Sequence, residues 1–125
     1  MAKAFLPHLN KKERSILAIL SAKVGSISDN RSGGWHAYRS SKAALNMLIK
    51  NFAIEMQWQN ENSIVIGLHP GTVDSRISKP FQANLPEDKL FLPEQSAEHL
   101  VTVIEKVNIE QSGCCMAWDN KKIEP

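Results

Sequence analysis

The sequence predicts an α/β protein built on a parallel sheet, and three observations carry that prediction. Two short, continuous apolar runs, Ser15–Leu20 and Ile64–Leu68, have the length and lack of alternation of strands buried on both faces. Between them, residues 36–59 contain no Gly or Pro and form the longest helical segment. A second helical pattern opens at Pro93 and leads into a third apolar stretch, Cys114–Trp118. Strand, helix, strand, helix, strand is a βαβαβ unit, half of a doubly wound parallel sheet, because parallel neighbours need crossovers of this length.

Each element has its own local signals. Met1–Leu9 reads as the last turns of a helix, stopped near Pro7 and the polar run 10–14. Val24–Trp35 is a loop, broken by Asp29-Asn30 and Gly33-Gly34. The first half of helix 36–59 is apolar nearly all round (Ala43, Ala44, Leu45, Met47, Leu48, Ile49, Phe52, Ala53), so it should pack on the sheet with one face and on something else with the other. Pro70-Gly71 ends the second strand. Residues 72–92 form a long irregular connection, whose length suggests a functional loop. Pro93 at a first helical position, with Glu94 in the first turn, starts a helix running to about Val107. After the third strand, Asp119-Asn120 turns the chain into a charged tail.

Composition narrows the function classes. The 125 residues are 42% apolar and 22% charged, ordinary values for one globular domain. No apolar run approaches the ~18 residues of a membrane span. Met1–Leu9 is too short for a secretory leader, which makes a cytoplasmic location the default. The net charge of +2 implies no nucleic-acid partner. Residues 1–50 are basic and residues 51–125 acidic, which reads mainly as solvated faces, although a basic half could attract a polyanionic cofactor. Cys114 and Cys115 are adjacent, so their Cα atoms lie ~3.8 Å apart, below the ~4.4 Å a disulfide needs. They read as small buried hydrophobes. The four histidines show no ligand spacing, and no metal site is expected.

Tyr38 is the only tyrosine, and Lys42 follows it at i+4, on the same helix face. An ammonium near a phenol favours the phenolate and lowers its pKa from ~10, which suits proton transfer to or from a carbonyl oxygen. The spacing alone also fits an ordinary surface pair. The strings around it add context. SAKVGSISDN (21–30) follows the first strand, GGW-x-x-YRSSKAALNM (33–47) opens the long helix, and LHPGTV (68–73) ends the second strand.

In order and spacing these motifs resemble the short-chain dehydrogenases/reductases, and the fuller strings resemble the C-factor-like and Sniffer-like carbonyl reductase branch. The resemblance implies the C-terminal βαβαβ half of a Rossmann-like doubly wound parallel sheet, with residues 1–125 as a single partial domain. It implies an NAD(P)-dependent oxidoreductase acting on a small-molecule carbonyl or alcohol, with NADP favoured over NAD. Tyr38 would be the general acid/base. Lys42 would assist it and bind the nicotinamide ribose. Pro70, Gly71 and Val73 would shape the nicotinamide pocket, and Thr72 or Ser75 would supply a hydroxyl. Residues 76–92, with Ile77 and Phe81, correspond to the substrate loop. The long helix 36–59 would form a homo-oligomer interface.

The pattern departs in two places. Where the family has a catalytic serine, three residues before Gly25, this chain has Ala22. A local bulge that turns Ser21 or Ser26 toward the carbonyl would restore the hydroxyl, and Ser21 is taken as the catalytic candidate. The family's glycine-rich turn, Gly-x-x-x-Gly-x-Gly, has no counterpart here. The alternative to an enzyme fragment is therefore an inactive homologue that works through dimerisation or protein contact.

Overall fold

The computed structural model describes residues 1–82, 85–86 and 89–125. A short helix α1 (Ala2–Phe5) and a 3-10 turn lead to β1 (Ser15–Leu20). Then come α2 (His36–Gln59), β2 (Ser63–His69), β3 (Thr72–Val73), β4 (Leu90–Phe91), α3 (Pro93–Lys106), β5 (Cys115–Ala117) and β6 (Lys122–Ile123). The main sheet has the order β1-β2-β5-β6. β1 and β5 both run parallel to β2, the former in a register that pairs Ser15 with Ser63 and Leu20 with Leu68.

Strand β2 is central and buried along most of its length. Its side chains alternate between faces with a period of two. Ile64, Ile66 and Leu68 pack with Val103 and Val107 from the α3 segment and with Met116. Val65 points the other way, into Leu6 from the 3-10 turn after α1 and Ile49, Ala53 and Met56 from α2. The result is three layers, with α2 on one face of the sheet and α3 on the other, as a doubly wound sheet requires. Arg14 closes the α3 layer: its guanidinium donates to the carbonyls of Ile104 (2.6 Å) and Val107 (2.8 Å), which the helix end leaves without backbone partners.

Two expectations need correction. The connection 72–92 is not wholly irregular, because β3 and β4 pair in parallel, Thr72 with Leu90 and Val73 with Phe91. The residues after Asp119 are not a free tail either. Asn120 adopts a left-handed conformation (φ 63°), and β6 folds back antiparallel on β5. Two-residue strands are too short to show a periodicity, which is why the sequence pattern misses both.

Candidate active site

The carboxyl ends of β1, β2 and β5 lie side by side, the position where open α/β sheets bind ligands. Helix α2 is brought to this edge by a close backbone approach. A Cβ on Gly25 would lie 2.6 Å from the Lys42 carbonyl carbon and 2.8 Å from its oxygen. Only glycine lets the turn after β1 press against the first turns of α2. The Lys42 ammonium donates to the Leu20 carbonyl at 3.4 Å, tying the helix to the end of β1. Tyr38 lies one turn earlier on α2 and is 37% exposed.

Arg39 fixes the entry to α2. The backbone is left-handed at Gly33, Gly34 and Trp35. Arg39 donates from Nε to the Gly33 carbonyl (3.2 Å) and from Nη1 to the Val24 carbonyl (3.3 Å). Its guanidinium also lies 5.5 Å from the centre of the Trp35 ring. The loop and the helix that carries Tyr38 are thereby held as one unit.

The two candidate replacement hydroxyls are both engaged elsewhere. Ser21 is buried and donates to Asn46 Oδ1 at 2.5 Å, one turn beyond Lys42 on α2. It also lies beside the Cys115 thiol, which burial and neighbouring Cys114 push up to about 11 and the Ser21 hydroxyl partly offsets. Ser26 donates to the Glu124 carbonyl (2.5 Å) and accepts from the Asp29 amide (3.1 Å), so it anchors the C-terminal strand. Ala22 is buried between them.

The Pro70–Val73 segment is held from both sides. The Pro70 carbonyl accepts from buried Ser96 on α3 (3.0 Å). Gly71 has φ +76°, and a Cβ there would meet the Phe91 ring at 2.5 Å. Thr72 and Val73 form β3. The Val73 carbonyl accepts from Ser78 at 2.5 Å, and the Ser75 amide donates to the same hydroxyl at 3.1 Å. Ser75 is thus part of a local turn with Ser78. Of the expected substrate loop, Ile77 is exposed, while residues 83–84, 87–88 and the Phe81 side chain lie outside the described residues. Arg39, Asn46, Ser78 and Ser96 escaped the sequence reading. Their roles are hydrogen bonds to partners distant in sequence or to loop backbone, and such bonds leave no spacing signature. No cluster of three potential metal ligands occurs among the described residues.

A parallel sheet with helices on both faces defines the doubly wound α/β class, in which ligands bind at the carboxyl edge of the strands. Family matching agrees: residues 1–86 fit the model described as short chain dehydrogenase, and the chain belongs to that family. It is 38% identical over 110 residues to 1-hydroxy-2-glutathionyl-2-methyl-3-butene dehydrogenase of a Rhodococcus species, covering 88% of this chain and 46% of that protein. It is 34% identical to C-signal of Myxococcus xanthus, covering 88% of this chain and 61% of that one. Carbonyl reductase Sniffer of D. melanogaster superposes with a TM-score of 0.76 at 27% identity, covering 99% of this chain and 46% of that structure. The chain spans about half the length of the curated relatives it matches.

Proposed function

We propose that the chain is the C-terminal, proton-transfer half of an NADP(H)-dependent carbonyl oxidoreductase. The observation that carries this reading is the Gly25 contact. It sets Lys42, with Tyr38 one turn before it, against the end of β1, at the same sheet edge as Pro70-Gly71. The residues suit the nicotinamide side of such a cofactor. Gly71 lets the Phe91 and Trp118 rings pack directly on its backbone, where any side chain would clash, and Lys42 offers an ammonium at the carboxyl end of β1. The bound cofactor supplies a hydride. Tyr38 Oη holds the proton that the carbonyl oxygen takes as C=O becomes C–OH, and recovers it in the reverse direction. Lys42 stabilises the negative charge left on that oxygen and binds ribose hydroxyls. Pro70, Gly71, Thr72, Val73 and Ser75 line the nicotinamide ring, largely through backbone. Ser21 positions α2 through Asn46 and reaches the carbonyl only if that bond is exchanged.

The test is carbonyl reduction by the protein as expressed from its gene. Tyr38→Phe is expected to lower kcat by roughly 10²–10⁴-fold with little change in KM. Retained turnover without the Tyr38 hydroxyl would refute the assignment.

One observation favours a second role for the same fold. Met47, Leu48, Ile54 and Trp58 leave an apolar stripe exposed on α2, with Met47 62% and Trp58 87% accessible. Such a stripe suits contact with a second copy, whether or not the chain is active.

A further inference from the structure

A cavity of about 840 Å³ opens at the carboxyl ends of β2 and β5, between the Gly71-Thr72 segment and the β5–β6 hairpin. His69 lines it, and Tyr38 and Lys42 do not. Its size suits a small organic ligand. Three features describe what it would hold.

The first is an aromatic floor. Phe91 meets Trp118 edge-on at 4.7 Å, with both rings on the cavity, and His99 backs them at 5.0 and 5.2 Å. The second is charge. The Lys23–Asp29 and Lys121–Asp119 pairs neutralise themselves at 3.3 and 2.8 Å. Arg31, Lys89 and Lys122 then stand against Glu124, an excess of positive charge among the described lining residues. The third is His69. Its Nδ1 is buried without a partner. Burial, and then Lys23, against an opposing pull from Asp119, lower its pKa to about 4 and keep the ring neutral near pH 7. A neutral imidazole carries one N–H, and placing it on Nδ1 would bury an unpaired donor. Placing it on Nε2 leaves Nδ1 an unpaired acceptor instead, and a ligand in the cavity that accepts from Nε2 would select that tautomer.

We propose that this cavity receives the carboxylate-bearing end of an anionic carbonyl substrate. The flat apolar part of the ligand lies on Phe91 and Trp118, its carboxylate faces Arg31 and Lys122, and His69 Nε2 donates a hydrogen bond to it. This inference rests on the carbonyl-oxidoreductase reading. It makes the cavity the specificity element of the same sheet edge.

Calorimetric titration of the full chain with benzoylformate and with its methyl ester tests it. The acid is expected to bind about tenfold more tightly, the scale of one charge-assisted hydrogen bond. The double variant Arg31→Gln/Lys122→Gln, both surface positions, should bring the acid down to the affinity of the ester. His69→Phe should weaken the acid several-fold while keeping an aromatic ring in place. Equal affinities for acid and ester, a preference that survives the double variant, or no binding of either probe at millimolar concentration would overturn the proposal. Displacement of benzoylformate by excess NADP⁺ would also overturn it, because the cations would then serve the phosphates of the cofactor. Turnover of Tyr38→Phe is measured separately. It judges the proton-transfer reading and does not enter the binding comparison.

Discussion

Single residues set the geometry of this site, and Gly25 sets most of it. Gly25→Ala forces a methyl group into the backbone of Lys42 and Ala43, where neither neighbour is a flexible side-chain end. Overpacking of this kind costs ~1–3 kcal/mol. Thermal unfolding should show a Tm lower by several degrees, and an unchanged Tm would mean that α2 does not depend on this contact. His69 adds a pH dependence. Its folded-state pKa, about 4, lies below the ordinary 6.5, so the unfolded chain binds more protons between those values. Stability is then full above pH 6.5 and falls as pH drops toward 4, by at most roughly 3 kcal/mol. In denaturant melts across this range, wild type should lose stability relative to His69→Phe as pH falls from 6.5 toward 4. Parallel curves would show that His69 is not the titrating group. The sequence made Tyr38, Lys42 and the Pro-Gly segment legible because their spacing is local. It could not show that Ser21 is spent on Asn46, since two residues 25 apart meet only through the packing of β1 on α2.

At the scale of elements, long periodic segments were legible and short ones were not. The range 36–59 was readable because nothing in it breaks a helix and its apolar residues recur on two sides. Strands β3, β4 and β6 hold two residues each and form only when a partner strand is already in place. The same reading of α2 leads to a test. One side of the helix is spent on the sheet through Ile49, Ala53 and Met56, and the other exposes Met47, Ile54 and Trp58 along one stripe. If that stripe is the homo-oligomer face, Ile54→Lys/Trp58→Lys should shift sedimentation from dimer or higher toward monomer without loss of helical signal. A wild-type chain that sediments as a monomer at high concentration would remove the interface from α2.

The whole molecule carries more surface than its mass predicts. A monomer of 14.0 kDa should expose ~6,700 Å² by the scaling for folded proteins. This chain exposes 8386 Å², an excess of ~1,700 Å², comparable to what one side of a large obligate interface buries. The excess has identifiable sources. β1 is the edge of the main sheet, although its sequence is that of an interior strand, and Leu20 at its end is 59% exposed. The exposed apolar side chains of α2 contribute as well. An open edge of this kind is a template for pairing. The expected behaviour of the isolated 125 residues is therefore self-association or marginal stability, seen as a Tm that rises with protein concentration. Lys substitution at Leu20 should reduce the association and leave the monomer fold intact, because that side chain is not part of the core. A sharp, concentration-independent transition of a monomer, with the cooperativity normal for its size, would show that the sheet needs no neighbour beyond β1.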